Sequence, residues 1–188
     1  MPKLTEAFSD THPKVKSSAE HALEELTKVI KNPEISSISA ILLKALTDPA
    51  TGTVKALEAL IETEFLHAID APSLALIVPV LHRGLRDRAA TTKRYGALIS
   101  GNICTMINDA RDFVPYLPTL LPDLKSTLLD PIPDVRSISA KSLGSLTRVR
   151  PIFGLYMCFS SLNHMHLLTS PFSHLCYRHT NLSEYPFC

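Results

Sequence analysis

The chain has no tryptophan, only six glycines in 188 residues and an aromatic content of 6%. It has no G-x-x-x-x-G-K-[ST] loop to cradle a nucleotide phosphate, so an ATPase core is excluded. Neither G-x-S-x-G nor H-E-x-x-H occurs, which removes the common hydrolase and zinc-protease frameworks. Neither sign of charge dominates: 19 basic side chains face 18 acidic ones, for a formal net charge of +1. Whole-chain attraction to nucleic acid and charge-driven disorder are therefore not indicated. No basic segment leading into an apolar one opens the chain, so a secretory leader is not expected. The one long apolar run is broken by Asn163, His164 and His166, which argues against a membrane span. Cysteine is scarce. Only Cys104 precedes residue 150, and on an apolar helix it reads as a small buried hydrophobe in a reducing compartment.

What is present is a repeat. A nine-residue column occurs four times, as Pro2-x-Leu4-x-x-x-Phe8-x-Asp10, Ala40-x-Leu42-x-x-x-Leu46-x-Asp48, Pro79-x-Leu81-x-x-x-Leu85-x-Asp87 and Pro122-x-Leu124-x-x-x-Leu128-x-Asp130. Its aspartates are 38, 39 and 43 residues apart, close to the period of about 40–47 residues that holds a helical pair in HEAT and armadillo arrays. Two apolar residues four apart share one helix face, which is the core face. Asp followed by Pro, Gly or Thr then ends the first helix in a turn. A second helix begins with a basic residue: Lys16, Lys55, Lys93 and Arg136. A cation there opposes the helix dipole unless an acid neutralises it, and the repeated aspartate is the obvious acid. Asp10, Lys16, Asp48, Lys55, Asp87, Asp130 and Arg136 are thus expected to form a structural ladder between neighbouring repeats, with Lys93 among its rungs.

Each second helix carries an apolar stripe. Ala22, Leu23, Leu26, Val29 and Ile30 form one; Val54, Leu57, Leu60, Ile61 and Phe65 the next; Ala97, Leu98, Ile103, Met106 and Ile107 a third; and Val135, Ile138, Leu143, Leu146 and Val149 the fourth. Gly96 and Gly101 interrupt the third, and since glycine costs a helix about 1 kcal/mol relative to Ala, they mark close helix–helix contact. Pro79, Pro118 and Pro122 are expected to kink the first helices. The fold class is all-α, a solenoid of about four helical pairs over residues 1–149, with a non-family, irregular tail over 150–188.

The tail holds three of the four cysteines and four of the eight histidines but only two charged side chains, Arg178 and Glu184. Cys158, His164, His166, His174, Cys176 and His179 are metal-ligand types, yet their spacing matches no paired zinc arrangement. No metal and no cofactor are expected. His67 and His82 are read as solvated or capping histidines within helical segments, without a nucleophile or ligand beside them, and no catalytic residue is assigned. One charge constellation stands out. Arg83, Arg86, Arg88, Lys93 and Arg94 are set against a single acid, Asp87, across a turn between two helices. The alternatives are a solvated turn, or a contact with ribosomal RNA phosphate or an acidic ribosomal protein.

Asp70 to Arg88, reading DAPSLALIVPVLHRGLRDR, resembles the signature of the large translational activator family called general control non-derepressible 1. Gly101-Asn102-Ile103-Cys104, the turn Leu120-Leu121-Pro122-Asp123-Leu124-Lys125, and Asp130-Pro131-Ile132-Pro133-Asp134-Val135-Arg136-Ser137 running into Leu143-Gly144-Ser145-Leu146 match in the same register. So do Pro2 to Glu6, Thr11 to Val15 and Ile30 to Ile35, so the resemblance covers residues 1 to 149. Fungal translation elongation factor 3 shares the region in weaker form.

The resemblance implies a HEAT-repeat scaffold without enzymatic activity in the cytoplasm, with no membrane contact. Its implied partners are the ribosome and an ABC-type ATPase, in support of the kinase that phosphorylates initiation factor 2 alpha during amino-acid starvation. The chain is a small fraction of the expected length and leaves the family pattern at Arg150. The kinase-binding region is therefore expected to be missing, and the kinase to be reached only indirectly. Two alternatives share the fold: a generic adaptor such as a tubulin-binding HEAT array, and the non-catalytic HEAT part of an elongation factor 3-like protein. A tubulin-binding array typically places a tryptophan in its first inter-helix turn, and this chain has none.

Overall fold

The computed structural model describes residues 10–148 together with Ala7, which is helical. Expectations for Pro2, Leu4 and Phe8, for Val149 and for residues 150–188 lie outside the described residues. The helices are α1 (Pro13–Thr27), α2 (Pro33–Thr47), α3 (Pro49–Glu62), α4 (Ala71–Leu85), α5 (Ala90–Met106), the single-turn α6 (Ala110–Phe113), α7 (Leu117–Thr127) and α8 (Pro133–Arg148). A 3-10 turn, Val114–Tyr116, joins α6 to α7. Among the described residues there is no strand; Ile69 and Ile107 make one isolated parallel bridge.

Proline decides where many of these helices start. It is the first residue of α1, α2, α3 and α8 and lies in the first two positions of α4 and α7. There its missing N–H is one that no helix could have paired, and its fixed φ already suits a helix. Pro118 therefore opens α7 rather than kinking it, a correction to the sequence expectation. Pro79 and Pro122 do lie inside α4 and α7.

The helices form antiparallel pairs, α2/α3, α4/α5 and α7/α8, whose turns fall at Asp48, Asp87 and Asp130 as the column requires. First helices pack on first helices (α2 on α4, α4 on α7) and second on second (α3 on α5, α5 on α8). That is the solenoid arrangement expected of the repeat. The helix α1 packs on α2 and α4. Leu42, Leu81 and Leu124, the third place of three columns, are fully buried. Flanked on both sides, α4 is buried from Ser73 to Val78 and again at Val80, Leu81, Gly84 and Leu85. Helices apolar all round belong in such interiors.

The second-helix stripes are corrected in detail. Val29, Val54, Ile61 and Leu98 are exposed, as is Ala22. The buried lines run instead through Gly52, Thr53, Ala56, Leu57 and Leu60 in α3, and through Thr92, Gly96, Ala97, Ile99, Ser100, Gly101, Ile103 and Cys104 in α5. Small residues let the helix backbones approach. A Cβ at Gly101 would lie 2.8 Å from Ser142 Oγ and 3.0 Å from its Cα, and one at Gly52 only 2.5 Å from Ala45 Cα. Buried hydroxyls find carbonyls: Ser100 donates within its own helix to Gly96 at 2.7 Å, and Ser142 donates across to the Ala97 carbonyl of α5 at 2.5 Å. Cys104 Sγ donates to the Ser100 carbonyl at 3.0 Å, and burial pushes its thiol pKa up to about 12, so it is an inert core residue.

Candidate functional site: a turn edge with two free arginines

The repeated aspartate builds the turn edge. Asp10 Oδ1 accepts from the His12 amide at 2.8 Å, Asp87 Oδ1 from Ala89 at 2.7 Å and Asp130 Oδ1 from Ile132 at 2.9 Å. Each is a carboxylate reaching the backbone two residues on, a turn that Asp forms readily. Asp48 accepts instead from the Thr51 hydroxyl at 2.6 Å, which holds its carboxyl below the usual range.

The expected ladder is corrected at most of its positions for this reason. Asp10, Asp48 and Asp87 close their own turns, and Lys16 and Lys55 are exposed with no ion pair among the described residues. Arg136 donates through Nη1 to the Asp130 and Pro131 carbonyls, at 2.8 and 2.9 Å. Of the repeated aspartates described, one crosses between pairs: Asp130 accepts from the Lys93 ammonium of the preceding pair. That contact, ahead of the Ile132 amide, holds the Asp130 carboxyl below its usual value.

Lys93 is one of the five cations singled out across the turn, and the structure divides them. Arg83 turns inward and donates from Nη1 to the Ala45 carbonyl of the preceding pair at 2.9 Å; burial lowers its pKa. Arg94 pairs with Asp134 at 3.0 Å and stacks over the neighbouring Tyr95 ring, 5.9 Å from its centroid. Arg86 and Arg88 are exposed. With His82, Arg83 and Asp87 they line an open cleft of about 520 Å³. His82 itself bonds through Nδ1 to Asp123 of the next pair. His67 is not helical: it lies in the loop between α3 and α4 and meets Glu34 at 2.6 Å.

Sequence reasoning missed the residues that tie the pairs together. Asn32 is almost fully buried. Its Oδ1 caps α2 by accepting from the Ile35 amide at 2.8 Å, while its Nδ2 donates to the His67 and Ala68 carbonyls at 3.2 Å each. Asp70 accepts from the Lys31 amide at 2.9 Å. The signal was a spacing of one repeat: Asn32 and Ala68, Lys31 and Asp70, and His82 and Asp123 are 36, 39 and 41 residues apart.

This edge presents exposed guanidinium groups, and among the described residues nothing else suggests chemistry. They include no group of His, Cys, Asp and Glu able to hold a metal ion. No helix among them is long and apolar enough to cross a membrane.

Residues 51–151, more than half of the chain, match the family described as Elongation factor 3/GNC1 HEAT repeat. The chain is 51% identical over 154 residues to Protein ILITYHIA of Arabidopsis thaliana, and 48% identical over 148 residues to the Stalled ribosome sensor GCN1 of Homo sapiens. Each alignment takes in 79% of this chain and 6% of the relative. It is also 40% identical over 146 residues to the eIF-2-alpha kinase activator GCN1 of Saccharomyces cerevisiae, covering 78% of this chain and 5% of that protein. The chain thus spans about one-twentieth of the length of these relatives.

Proposed function

Because the chain belongs to the elongation factor 3/GNC1 HEAT-repeat family, we propose that it is a segment of a non-catalytic, cytoplasmic scaffold for translational control that meets the ribosome at its cationic turn edge. The observation carrying this reading is the identity of 40–48% to relatives whose names state ribosome sensing and kinase activation. The geometry supports a contact at the turn edge. The buried faces of α3, α4 and α5 are consumed in packing, whereas Arg86 and Arg88 stand exposed beside an open cleft. An ABC-type ATPase is a second partner in this reading, and the initiation factor 2 alpha kinase is served indirectly.

Co-sedimentation of the purified chain with ribosomes across a salt series tests it. Wild-type protein is expected to pellet at low salt and to be released steeply as salt rises, because cation contacts to an anionic surface displace counterions. The double variant Arg86→Glu/Arg88→Glu is expected to release at distinctly lower salt with an unchanged helical spectrum, since exposed charges usually shift stability by under about 0.5 kcal/mol each. Arg83 and Lys93 are left intact because they hold neighbouring pairs together. Absence of pelleting at low salt, or an unchanged release point in the double variant, overturns the assignment of this edge.

A further inference from the structure

The three complete turns are equivalent position for position: Thr47-Asp48-Pro49-Ala50, Arg86-Asp87-Arg88-Ala89 and Leu129-Asp130-Pro131-Ile132. Leu129 therefore occupies on the last pair the place that Arg86 occupies on the pair before it, and Ile132 the place of Ala89. The two turns are held side by side, since Lys93 bonds to Asp130 and Arg94 to Asp134 across the starts of α5 and α8. Leu129 is 86% exposed and Ile132 42% exposed. Single exposed apolar residues need no explanation, but two in one turn next to two exposed arginines form a mixed strip. Stacking uses the helix faces, so a further pair added to the array would cover α7 and α8 and leave this edge open.

Part of the charge beside the strip is settled. Lys93 is matched by Asp130 and Arg94 by Asp134. Asp87 also faces the cleft, with one oxygen engaged by the Ala89 amide. Arg83, Arg86 and Arg88 outnumber it, so the strip keeps a surplus of positive charge. We infer that the edge formed by Arg86, Arg88, Leu129 and Ile132 docks an acidic polypeptide segment carrying a bulky apolar side chain. Carboxylates match the arginine forks, and the apolar side chain lies on Leu129 and Ile132. Nucleic acid would use the arginines but leave the two aliphatic side chains unmatched, and single-stranded bases favour aromatic platforms, which this strip lacks. The inference deepens the ribosome reading by naming the chemistry of the partner at the same edge.

The test is fluorescence anisotropy with the full chain and three dye-labelled probes: a glutamate-rich peptide with a central Phe, the same peptide with Ala in place of Phe, and poly(U) RNA. The Phe peptide is expected to bind, and the Ala peptide to bind about tenfold more weakly, the scale of one buried side chain. Leu129→Ser, a change at an exposed position, is expected to weaken the Phe peptide to the level of the Ala peptide and to leave poly(U) unaffected. Arg86→Glu/Arg88→Glu is expected to abolish binding of both peptides. Equal affinity for the two peptides, insensitivity to Leu129→Ser, or poly(U) binding as tightly as the Phe peptide overturns the inference. The same variants separate it from the ribosome reading. Ribosome pelleting lost in the arginine double variant but retained in Leu129→Ser sinks the peptide partner and keeps the ribosome. Peptide binding that depends on Leu129, in a chain that never pellets with ribosomes, sustains the peptide site and sinks the ribosome.

Discussion

The junction between α2/α3 and α4/α5 and the junction between α4/α5 and α7/α8 do the same mechanical job with different chemistry. The first is tied mainly to the backbone: Asn32 to the His67 and Ala68 carbonyls, Asp70 to the Lys31 amide and Arg83 to the Ala45 carbonyl. Its one acid–base side-chain contact, Glu34 to His67, has an exposed histidine. The second is tied by side chains to side chains, His82 to Asp123, Lys93 to Asp130 and Arg94 to Asp134, and by Ser142 donating to the Ala97 carbonyl. Backbone carbonyls and amides do not titrate, whereas carboxylates do. The two junctions thus differ in their share of titratable links, two carboxylates at the first, Glu34 and Asp70, and three at the second, Asp123, Asp130 and Asp134, although the repeated column makes them equivalent.

The largest effect should be one that ignores the difference. Leu81 is fully buried in α4, the helix shared by both junctions, and Leu81→Ala is expected to cost about 2–5 kcal/mol through lost burial and a residual cavity. Urea denaturation should show one cooperative loss across the molecule; an unchanged midpoint would contradict the core assignment.

Asn32→Ala should separate the junctions. It deletes the α2 cap and leaves two carbonyls without their donor, at a cost of about 1–3 kcal/mol. Amide exchange should quicken in α2 and the loop between α3 and α4 while α8 stays protected, and the cost should not change with salt. Equal loss of protection in α8 would show that the junctions open together.

Acid should act in the opposite sense and more mildly. Lys93 and the Ile132 amide hold the Asp130 carboxyl below its ordinary value of 3.8. Its contribution is therefore fully present above that value and is lost as pH falls through the lower, folded-state one. Amide exchange in α8 is expected to accelerate on acidification, and added salt should lessen this acid dependence by screening the ion pair that produces it. A Lys93→Met variant should reduce this acid sensitivity in α8; if it does not, Asp130 is not its source.

Much of this was legible in the sequence. Leucines at fixed places in the column gave the core positions Leu42, Leu81 and Leu124, and Asp with its following breakers gave the turns, because both signals are local. The second-helix lines were harder. Hydropathy favours Val54, Ile61 and Leu98, but the stacking surface is built from Gly52, Ala56, Gly96, Ser100, Gly101 and Ser142, whose value lies in being small rather than apolar. Small residues four apart, as in Gly52 and Ala56 or Gly96 and Ser100, were the available sign. Three of the five cations have partners that the sequence hid for a related reason. Sequence shows charge without its partner, and the partners of Lys93, Arg94 and Arg83 lie about one repeat away.

The aspartate bonds at the turns span only two residues, and they bear on how the chain folds. A turn closed by its own carboxylate and amide needs nothing from the next pair. It can therefore form within the time of local helix closure, before any link that spans a whole repeat. Each pair is a candidate nucleus, and growth can proceed in either direction from it. A polypeptide emerging from synthesis could close its helical hairpins one after another, each completed hairpin offering the next a finished surface to settle on.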